Sequence, residues 1–302
     1  MRVGVDFGGT KIEAIAMGAG GAILARKRVP NPGAYEAAIA AVAVLVGEME
    51  SQAGEKAAAV GVGMPGSLSP ATGKVRNSNS VWLNGKPFYE DLKRALGKPL
   101  RCANDANCFA LSEATDGAAA DAKIVFGVIL GTGCGGGVVV NGKVWDGVNG
   151  IGGEWGHIPL PWPTGEESQA EPCWCGRPLC LETWVSGSAL DKWGSRIMGR
   201  QMGAREISAA AAAGDPKALE CMDVHADRLA RAVAVVMDIL DPDIFVFGGG
   251  LSNVDSIYPA LIQKLPPYVF SDKISTRFVK NMHGDSSGVR GAAWLFSEEE
   301  AR

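Results

Sequence analysis

The most concentrated chemistry in the sequence is a group of four metal-binding residues in one short stretch. One imidazole and three thiols have the spacing H-x15-C-x-C-x4-C, and they are His157, Cys173, Cys175 and Cys180. One nitrogen and three sulfur ligands complete a tetrahedral zinc shell and leave no position for water. Buried thiols or a disulfide set are the alternative, but two cysteines one residue apart rarely pair with each other. The spacing therefore predicts a structural Zn²⁺.

Two carboxylates, Glu154 and Glu182, flank the same stretch. A metal that fixes this loop would also fix both side chains in space. Taken alone, loop glutamates are more often solvated charges than ligand-binding groups. Their role therefore depends on what the rest of the chain supplies.

The composition excludes several classes of protein. The chain has 302 residues, 47% of them hydrophobic and 21% charged, with a net charge of −4 and dispersed basic residues, which gives no electrostatic footprint for nucleic acid or lipid. No apolar run approaches the roughly 18 residues of a membrane helix. The N-terminus MRVGVDFGGTK lacks the apolar region of a signal peptide, and the seven cysteines suit a reducing compartment. We expect a cytoplasmic protein without nucleic-acid or membrane partners.

The elements that must position these residues alternate between strands and helices. The first 115 residues read as three strands, then helix, strand, helix, strand and helix, beginning with Val3–Phe7. The pattern of strand, glycine turn and hairpin restarts at Ile124–Leu130. Apolar residues from Leu219 to Leu240 keep a three-four spacing and predict a helix of about six turns. We predict two α/β domains: residues 1–117 plus a C-terminal helix at 289–302, and residues 118–288 with the metal loop.

Three strands run into glycine turns, Asp6–Lys11, Gly131–Gly137 and Phe247–Gly250. Their exposed amides could cradle phosphate oxygens, with added hydrogen bonds from Thr10 and Thr132. A single such turn is weak evidence, but two of the three stand at matching positions of the duplicated halves. None fits the common phosphate-loop or dinucleotide-binding patterns, so we expect a nucleotide site of another type.

Two aspartates adjoin strand ends. Asp6, next to the first turn, either caps the loop or orients a hydrated Mg²⁺, and the sequence leaves both open. Asp105 follows Asn104 between a strand and a helix, where it is either a routine N-cap or a base that accepts a proton from a sugar hydroxyl. Phosphoryl transfer needs little more than one such carboxylate, because its transition state is loose.

Taken together, these motifs resemble the ROK family of sugar kinases from end to end, and most closely its bacterial fructokinases. The matching segments are DFGGTK at 6–11, GMPG at 63–66, NSNSVWLNG at 77–85, ANDAN at 103–107, GTGCGGG at 131–137, GEWGH at 153–157, CWCGRPLCLE at 173–182 and DPDIFVFGGG at 241–250. The resemblance implies an actin-like, hexokinase-type (ribonuclease H-like) ATPase fold of two duplicated α/β domains with an interdomain cleft. It also implies a homodimer.

The resemblance further assigns roles to individual residues. Asp105 would be the general base, and His157 would serve both the zinc and the sugar. Sugar contacts would come from Asn79, Asn104, Asp105, Glu154, His157 and Glu182. ATP and Mg²⁺ would be held by Asp6, Gly8, Gly9, Thr10, Lys11, Gly131, Thr132 and Gly133, with Gly248 and Gly249 near the adenosine. One departure concerns the metal loop: the family usually has glycine before the last cysteine, where this chain has Leu179, preceded by Pro178. All four ligands remain, so the departure bears on the local turn.

The expected activity is ATP-dependent phosphorylation of a free hexose, with D-fructose to fructose 6-phosphate as the first choice. A glucokinase, mannokinase or N-acetylhexosamine kinase of the same family is the alternative, because the same side chains can bind several sugars. Two remoter alternatives are a repressor of the family and a catalytically silent sugar-binding protein. The first strand at Val3 leaves no room for a DNA-binding segment, and Asp105 with the glycine turns argues against a silent protein.

Overall fold

The buried strands and glycine turns of the sequence build two five-stranded sheets. In a computed structural model, which describes residues 1–169 and 171–301, the first sheet has the order β3-β2-β1-β4-β7 and the second β10-β9-β8-β11-β12. The strands are β1 Arg2–Phe7, β2 Lys11–Met17, β3 Ile23–Pro30, β4 Ala59–Met64, β5 Ser67–Leu68, β6 Val75–Arg76, β7 Leu100–Asn104, β8 Ile124–Leu130, β9 Cys134–Val140, β10 Lys143–Val144, β11 Ile244–Gly248 and β12 Arg277–Lys280.

The helices connect and cover these strands. They are α1 Tyr35–Ala53, α2 Phe88–Leu96, α3 Asp105–Asp116, α4 Glu182–Val185, α5 Gly187–Met198, α6 Ala204–Ala212, α7 Pro216–Leu240, α8 Ile257–Lys264 and α9 Ser287–Trp294. Among the described residues, no helix has both the length and the apolar character of a membrane span.

Both sheets follow one plan. In the first, β1 pairs antiparallel with β2 and parallel with β4, so a hairpin edge joins a parallel half. In the second, β10 pairs antiparallel with β9, and β11 pairs parallel with β8 and β12. The predicted restart of the strand order at residue 124 is confirmed, and with it the mixed α/β fold.

The chain forms two compact units. The first comprises Met1–Asp121, Gly137–Gly153 and Met282–Arg302, and the second Ala122–Gly136 and Glu154–Asn281. In the first unit, α9 packs so closely that a β-carbon on Gly61 would lie 1.8 Å from the Ala292 carbonyl oxygen, and one on Gly291 would lie 1.6 Å from that of Cys108. Glycine at both positions lets α9 touch the backbone of β4 and α3.

Some predicted elements need correction. The C-terminal helix ends at Trp294 rather than continuing to 302, because Ser297 and Glu300 form a separate turn in which each side chain accepts the other's amide. Arg302, the last residue of that prediction, lies outside the described residues. The predicted long helix is confirmed as α7, whose N-cap is Asp215 with Pro216 in its first turn. The predicted domain boundaries stay a prediction.

Candidate functional site

In the first unit, the turn from Asp6 to Lys11 connects the antiparallel strands β1 and β2. The Gly8 amide donates to the Lys11 carbonyl at 3.0 Å, and the Asn31 side chain donates to the Gly8 carbonyl at 2.7 Å. This closes the turn and leaves Gly9, Thr10 and Lys11 exposed. One ammonium and one hydroxyl group are therefore presented on a braced glycine turn, as phosphate binding requires.

Asp6, the next-to-last residue of β1, lies where its ionised carboxylate is disfavoured. Burial, and then the nearby charges of Asp105 and Glu13, raise the pKa of Asp6 to about 6, against the opposing effect of Lys11 and Arg28. A divalent cation beside this carboxylate would favour its ionised form. The magnesium interpretation of Asp6 is compatible with this electrostatic environment and, like the loop-cap interpretation, stays a prediction.

The structure shows which of Asn104 and Asp105 caps helix α3, a point that the sequence left unresolved. Asn104 is the N-cap of α3: its side-chain oxygen accepts the Ala106 amide at 2.9 Å, and its amide group donates to the Gly66 carbonyl at 3.1 Å. Asp105 is the first helical residue, is exposed, and also accepts the Ala106 amide at 2.9 Å. A helix N-terminus stabilises the negative charge of such a carboxylate. Asp105 is therefore not needed as the cap.

The loop from Asn77 to Gly85 presents Asn79 outward. Asn84 binds the backbone of Ser78 with both side-chain groups, at 2.9 Å each, and the Ser78 hydroxyl accepts the Ser80 amide at 3.1 Å. Ser78 and Ser80 are buried, whereas Asn79 between them is exposed. Gly9 lies under this loop, since a β-carbon there would be 2.9 Å from the Ser80 hydroxyl oxygen. The predicted sugar contact Asn79 thus adjoins the first turn.

In the second unit, the other two glycine turns meet the start of a helix. The Gly187 amide, at the first residue of α5, donates to the Gly131 carbonyl at 2.7 Å, and a β-carbon on Gly249 would lie 2.5 Å from the Leu130 carbonyl oxygen. Thr132 is exposed beside them, and Ser186 caps α5 through the Ala189 amide at 3.1 Å. The Gly187 and Ala189 amides are used in these contacts, so the attraction for an anion here comes from the dipole of α5 and the exposed Thr132 hydroxyl.

A cavity of about 700 Å³ opens beside this turn within the second unit. Its walls include Thr132, Glu182, Ser188, Lys192 and Trp193. Such a volume lies in the range of ligand pockets, roughly 300–1,000 Å³. A bulky ligand with an anionic end could therefore extend from Thr132 along α5.

The segment from Glu154 to His157 is packed against the start of β9, which begins at Cys134, so the predicted Gly131–Gly137 turn ends earlier than expected. A β-carbon on Gly156 would lie 2.0 Å from the Cys134 carbonyl oxygen, and the Trp155 indole donates to the Gly135 carbonyl at 2.9 Å. These contacts fix a short 3-10 helix, Trp155–His157, with half-buried Glu154 just before it and His157 at its end. The predicted sugar ligands of this segment are thus positioned by backbone packing.

The predicted metal ligands come together as a cluster. One ligand atom from each of His157, Cys173, Cys175 and Cys180 lies within 4.8 Å of the others. The Leu181 amide donates to the Ile158 carbonyl at 2.9 Å, and the Leu160 amide to the Leu179 carbonyl at 2.7 Å, so two backbone segments pair and bring His157 beside the last cysteine. The spacing prediction of one clustered ligand set is confirmed in geometry.

The cluster fits zinc in size and chemistry. The sulfur atoms of Cys175 and Cys180 are 3.6 Å apart, and Cys173 sulfur is 3.8 Å from the His157 Nδ1. Bonds of about 2.3 Å to sulfur and about 2.0 Å to nitrogen at tetrahedral angles give similar edges, and 3.6 Å is far too long for a disulfide. Burial, helped by the Cys175 thiol, raises the pKa of Cys180 to about 12. Binding a metal must therefore displace protons.

Leu179, where the family usually has glycine, keeps the turn that glycine would make. Its φ of 62° lies in the left-handed region, which costs a side chain with a β-carbon about 1–2 kcal/mol. Its carbonyl accepts the Leu160 amide, so the conformation is held by the paired segments. Leu179 therefore carries backbone strain at a position where glycine would carry none.

Glu182, the first residue of α4, uses both carboxylate oxygens. One oxygen accepts the Cys134 amide at 3.1 Å, and the other accepts the Trp174 indole N–H at 2.7 Å. Each carboxylate oxygen can accept more than one hydrogen bond, so capacity remains for a substrate hydroxyl. Glu182 thereby joins the second turn to the metal loop.

Sequence reasoning missed a buried ion-pair group in the second unit. Glu167 accepts hydrogen bonds from Arg228 at 2.8 Å and from Arg231 at 2.9 Å, and all three side chains are almost fully buried. Burial alone would raise the pKa of Glu167, but the two guanidinium groups lower it to about 2. No motif signals this group, although two arginines three residues apart beside the apolar residues of the long helix α7 are a weak hint.

The comparisons with known proteins point to sugar kinases. The sequence profile of the ROK family matches residues 2–299. The chain is 39% identical over 300 residues to an N-acetyl-D-glucosamine kinase of Pectobacterium atrosepticum, covering 98% of each chain. Its fold is similar to that of a ROK hexokinase from Thermus thermophilus, with TM-score 0.86, 32% identity and 97% of each chain covered. A ROK glucokinase from Streptomyces griseus in complex with glucose and AMPPNP matches with TM-score 0.79, 26% identity and coverage of 97% and 98%.

The raised pKa of Asp6 predicts that a neutral residue at this position stabilises the fold, by an amount that depends on pH. The folded pKa, about 6, lies above the unfolded value of 3.8, so the folded state holds the proton more tightly. The resulting stabilisation is complete below about pH 4 and is lost as the pH rises to about 6. Asp6→Asn should therefore raise the free energy of unfolding by about 1–3 kcal/mol at pH 8 and by much less at pH 4, as measured by urea unfolding without nucleotide or magnesium. The exposed Asp272→Asn variant is the control for loss of one charge, and an equal gain there would contradict the assignment.

The left-handed Leu179 predicts a difference between two small replacements. Leu179→Gly and Leu179→Ala both remove the branched side chain, but only glycine removes the β-carbon that strains this conformation. We expect Leu179→Gly to be more stable than Leu179→Ala by about 1 kcal/mol, after allowance for the greater freedom of glycine in the unfolded chain. Chemical denaturation of both variants at equal zinc content measures the difference. Equal stability would show that the backbone relaxes at this position.

Proposed function

The chain belongs to the ROK family and is an ATP-dependent hexose kinase, and we propose that its substrate is N-acetyl-D-glucosamine. The observation that carries this choice is 39% identity over 98% of the chain to a protein named N-acetyl-D-glucosamine kinase. A relative from Vibrio cholerae with the same name is also 39% identical over 98% of the chain. The product would be N-acetyl-D-glucosamine 6-phosphate.

The expected preference for fructose is not supported by these relatives. They favour the N-acetylhexosamine alternative, while the glucose complex of the Streptomyces griseus enzyme makes glucose the natural competitor. Glucose differs from N-acetyl-D-glucosamine only in carrying a hydroxyl at carbon 2. A site must therefore recognise the acetamido group to separate the two.

For the first unit, we propose that Asp105 is the general base. Its carboxylate would accept the proton of the sugar 6-hydroxyl as that oxygen attacks the γ-phosphate, and Asn104 would hold the helix start that carries it. Asn79 and Asn104 would contact further sugar hydroxyls. The turn with Gly8, Gly9, Thr10 and Lys11 would bind phosphate oxygens, and Asp6 would hold the Mg²⁺ that neutralises their charge.

For the second unit, we propose that the Gly131–Gly133 turn and the start of α5 hold ATP. Gly131, Thr132 and Gly133 would contact phosphate, helped by the N-terminus of α5, which begins at Gly187 beside the Gly131 carbonyl. Gly248 and Gly249 would lie near the adenosine. Glu154, His157 and Glu182 would accept or donate hydrogen bonds to sugar hydroxyls from the wall formed by the metal loop.

The metal is proposed to be a structural zinc. Four nitrogen and sulfur ligands complete its shell, so it would stabilise the loop and would leave the reaction to the side chains around it. Its value to catalysis would be the fixed position of His157 and Glu182.

A panel of sugars tests the proposed function. ADP release should be measured with N-acetyl-D-glucosamine, glucose, mannose and fructose at saturating ATP. We expect kcat/KM for N-acetyl-D-glucosamine to exceed that for glucose by about tenfold or more, because one matched polar group contributes on the order of 1–3 kcal/mol. A higher kcat/KM for glucose or fructose would overturn the proposed sugar, and no turnover of any hexose would overturn the assignment of the reaction.

The Asp105→Asn variant serves as the catalytic comparison within the same assay. Loss of the base should lower kcat by about 100-fold or more while the melting temperature stays near that of the parent, because the cap of α3 is Asn104. Wild-type kcat in this variant would return Asp105 to a structural role.

Metal content provides a separate test. Purified protein should contain about one zinc per chain, and Cys175→Ser should lose most of it, because three ligands bind Zn²⁺ far more weakly than four. Cys102→Ser is the matched control, since Cys102 lies on β7 outside the cluster. Metal-free protein with full stability, or equal zinc loss in both variants, would contradict the four-ligand site.

A further inference from the structure

Trp174 stands between two of the predicted metal ligands with 59% of its surface exposed. An exposed aromatic residue alone proves nothing, because folded proteins expose much apolar surface. Here, however, the side chain is held by a hydrogen bond from its indole N–H and by packing against another ring. That arrangement gives it a defined direction.

The polar edge of Trp174 is bound to a proposed sugar ligand. The indole N–H donates to the Glu182 carboxylate at 2.7 Å, the length of a strong hydrogen bond to a charged acceptor. The other oxygen of that carboxylate accepts the Cys134 amide at 3.1 Å. The indole and the backbone therefore hold the carboxylate from two sides.

The ring of Trp174 also packs against the other proposed sugar ligand of the metal loop. The rings of His157 and Trp174 are 5.2 Å apart and nearly perpendicular, at 80°. Edge-to-face packing of this kind fixes the orientation of both rings. A tryptophan has only two side-chain torsions, so little entropy remains to be lost when its open face binds a ligand.

We propose that Trp174 contacts the sugar directly, covering the apolar C–H face of the pyranose ring while its N–H orients Glu182. This inference rests on the proposed hexosamine kinase function. A hexose alternates polar hydroxyls with a face of C–H groups, and the electron-rich face of an aromatic ring attracts such weakly positive hydrogens. Glu182 and His157 would bind hydroxyls at the rim, and the indole beside both would cover the ring.

Two substitutions separate the two roles of the side chain. Trp174→Phe keeps an aromatic face but removes the N–H, whereas Trp174→Leu removes both. We expect KM for N-acetyl-D-glucosamine to rise about tenfold in Trp174→Leu and less in Trp174→Phe, with kcat changed by less than about threefold in either. Because the ring is shared by both sugars, KM for glucose should rise by a similar factor.

Sugar binding without turnover gives an independent readout. Titration of the nucleotide-free protein with N-acetyl-D-glucosamine should change the tryptophan fluorescence of the parent, and that change should be largely absent in Trp174→Phe. The control is Trp162→Phe, since Trp162 is 53% exposed and stacks on Tyr268 at 5.5 Å. It should keep both the parental KM and the fluorescence change, and all variants should retain their zinc.

The outcomes separate this inference from the function on which it rests. If the parent phosphorylates N-acetyl-D-glucosamine but Trp174→Leu keeps the parental KM and Trp174→Phe keeps the fluorescence change, the contact is refuted. A KM increase confined to N-acetyl-D-glucosamine would also refute the ring-face assignment, since it would place the indole on the acetyl group. If the parent does not phosphorylate this sugar but phosphorylates glucose, the proposed substrate fails, and the same variants test the contact with glucose.

Discussion

The carboxylate of Glu182 is the contact on which the second unit's site depends. It receives the backbone amide of Cys134 on one oxygen and the indole of Trp174 on the other, so the glycine turn and the metal loop share one charged acceptor. Glycine at residue 133 leaves room for this carboxylate, because a β-carbon there would lie 2.5 Å from a Glu182 oxygen and would push the side chain aside. A buried or half-buried charge with two donors is costly to displace. Any shift of the metal loop would therefore change the position of the Gly131–Gly133 turn.

Much of this arrangement could be predicted from local sequence patterns. The spacing of the four predicted metal ligands favours a cluster, and the alternation of buried strands with glycine turns indicates a duplicated α/β fold. Both signals are short in range and leave their mark in neighbouring residues. The same holds for α7, where apolar residues repeat over the length of a 25-residue helix capped by Asp215. The α/β class and the ligand cluster were therefore within reach of local patterns, whereas the hexokinase-type fold and the roles of the sugar and nucleotide residues followed from the resemblance to the ROK family.

Features that arise from contacts between distant segments could not be predicted from the sequence. The four-residue edge strand Arg277–Lys280 and the hairpin of β5 and β6 are too short to show a period. Whether Asn104 or Asp105 caps α3 depends on a one-residue difference in where the helix starts, which propensities cannot fix. The hydrogen bond from Trp174 to Glu182 could not be predicted either, because the sequence does not show where these two side chains point. Leu179 shows the converse, because a residue unsuited to its conformation is held there by pairing with Leu160.

The buried group of Glu167 with Arg228 and Arg231 explains how a polar, proline-rich segment can support a rigid site. The stretch between Leu160 and Cys173 offers few apolar side chains to a core, so hydrophobic burial alone cannot hold it. Glu167 fastens it to α7 from within, and Arg231 also binds the carbonyls of Pro161 and Trp162 at 3.0 Å each. Burying these charges costs desolvation energy, which is recovered only while every partner is present. Removing any one of the three side chains would therefore leave a buried charge without one of its partners. In the proposed zinc-bound protein, the four-ligand cluster at the end of the same segment adds a second restraint. With both in place, His157 and Glu182 are held without the large hydrophobic core that a loop of this length would otherwise need.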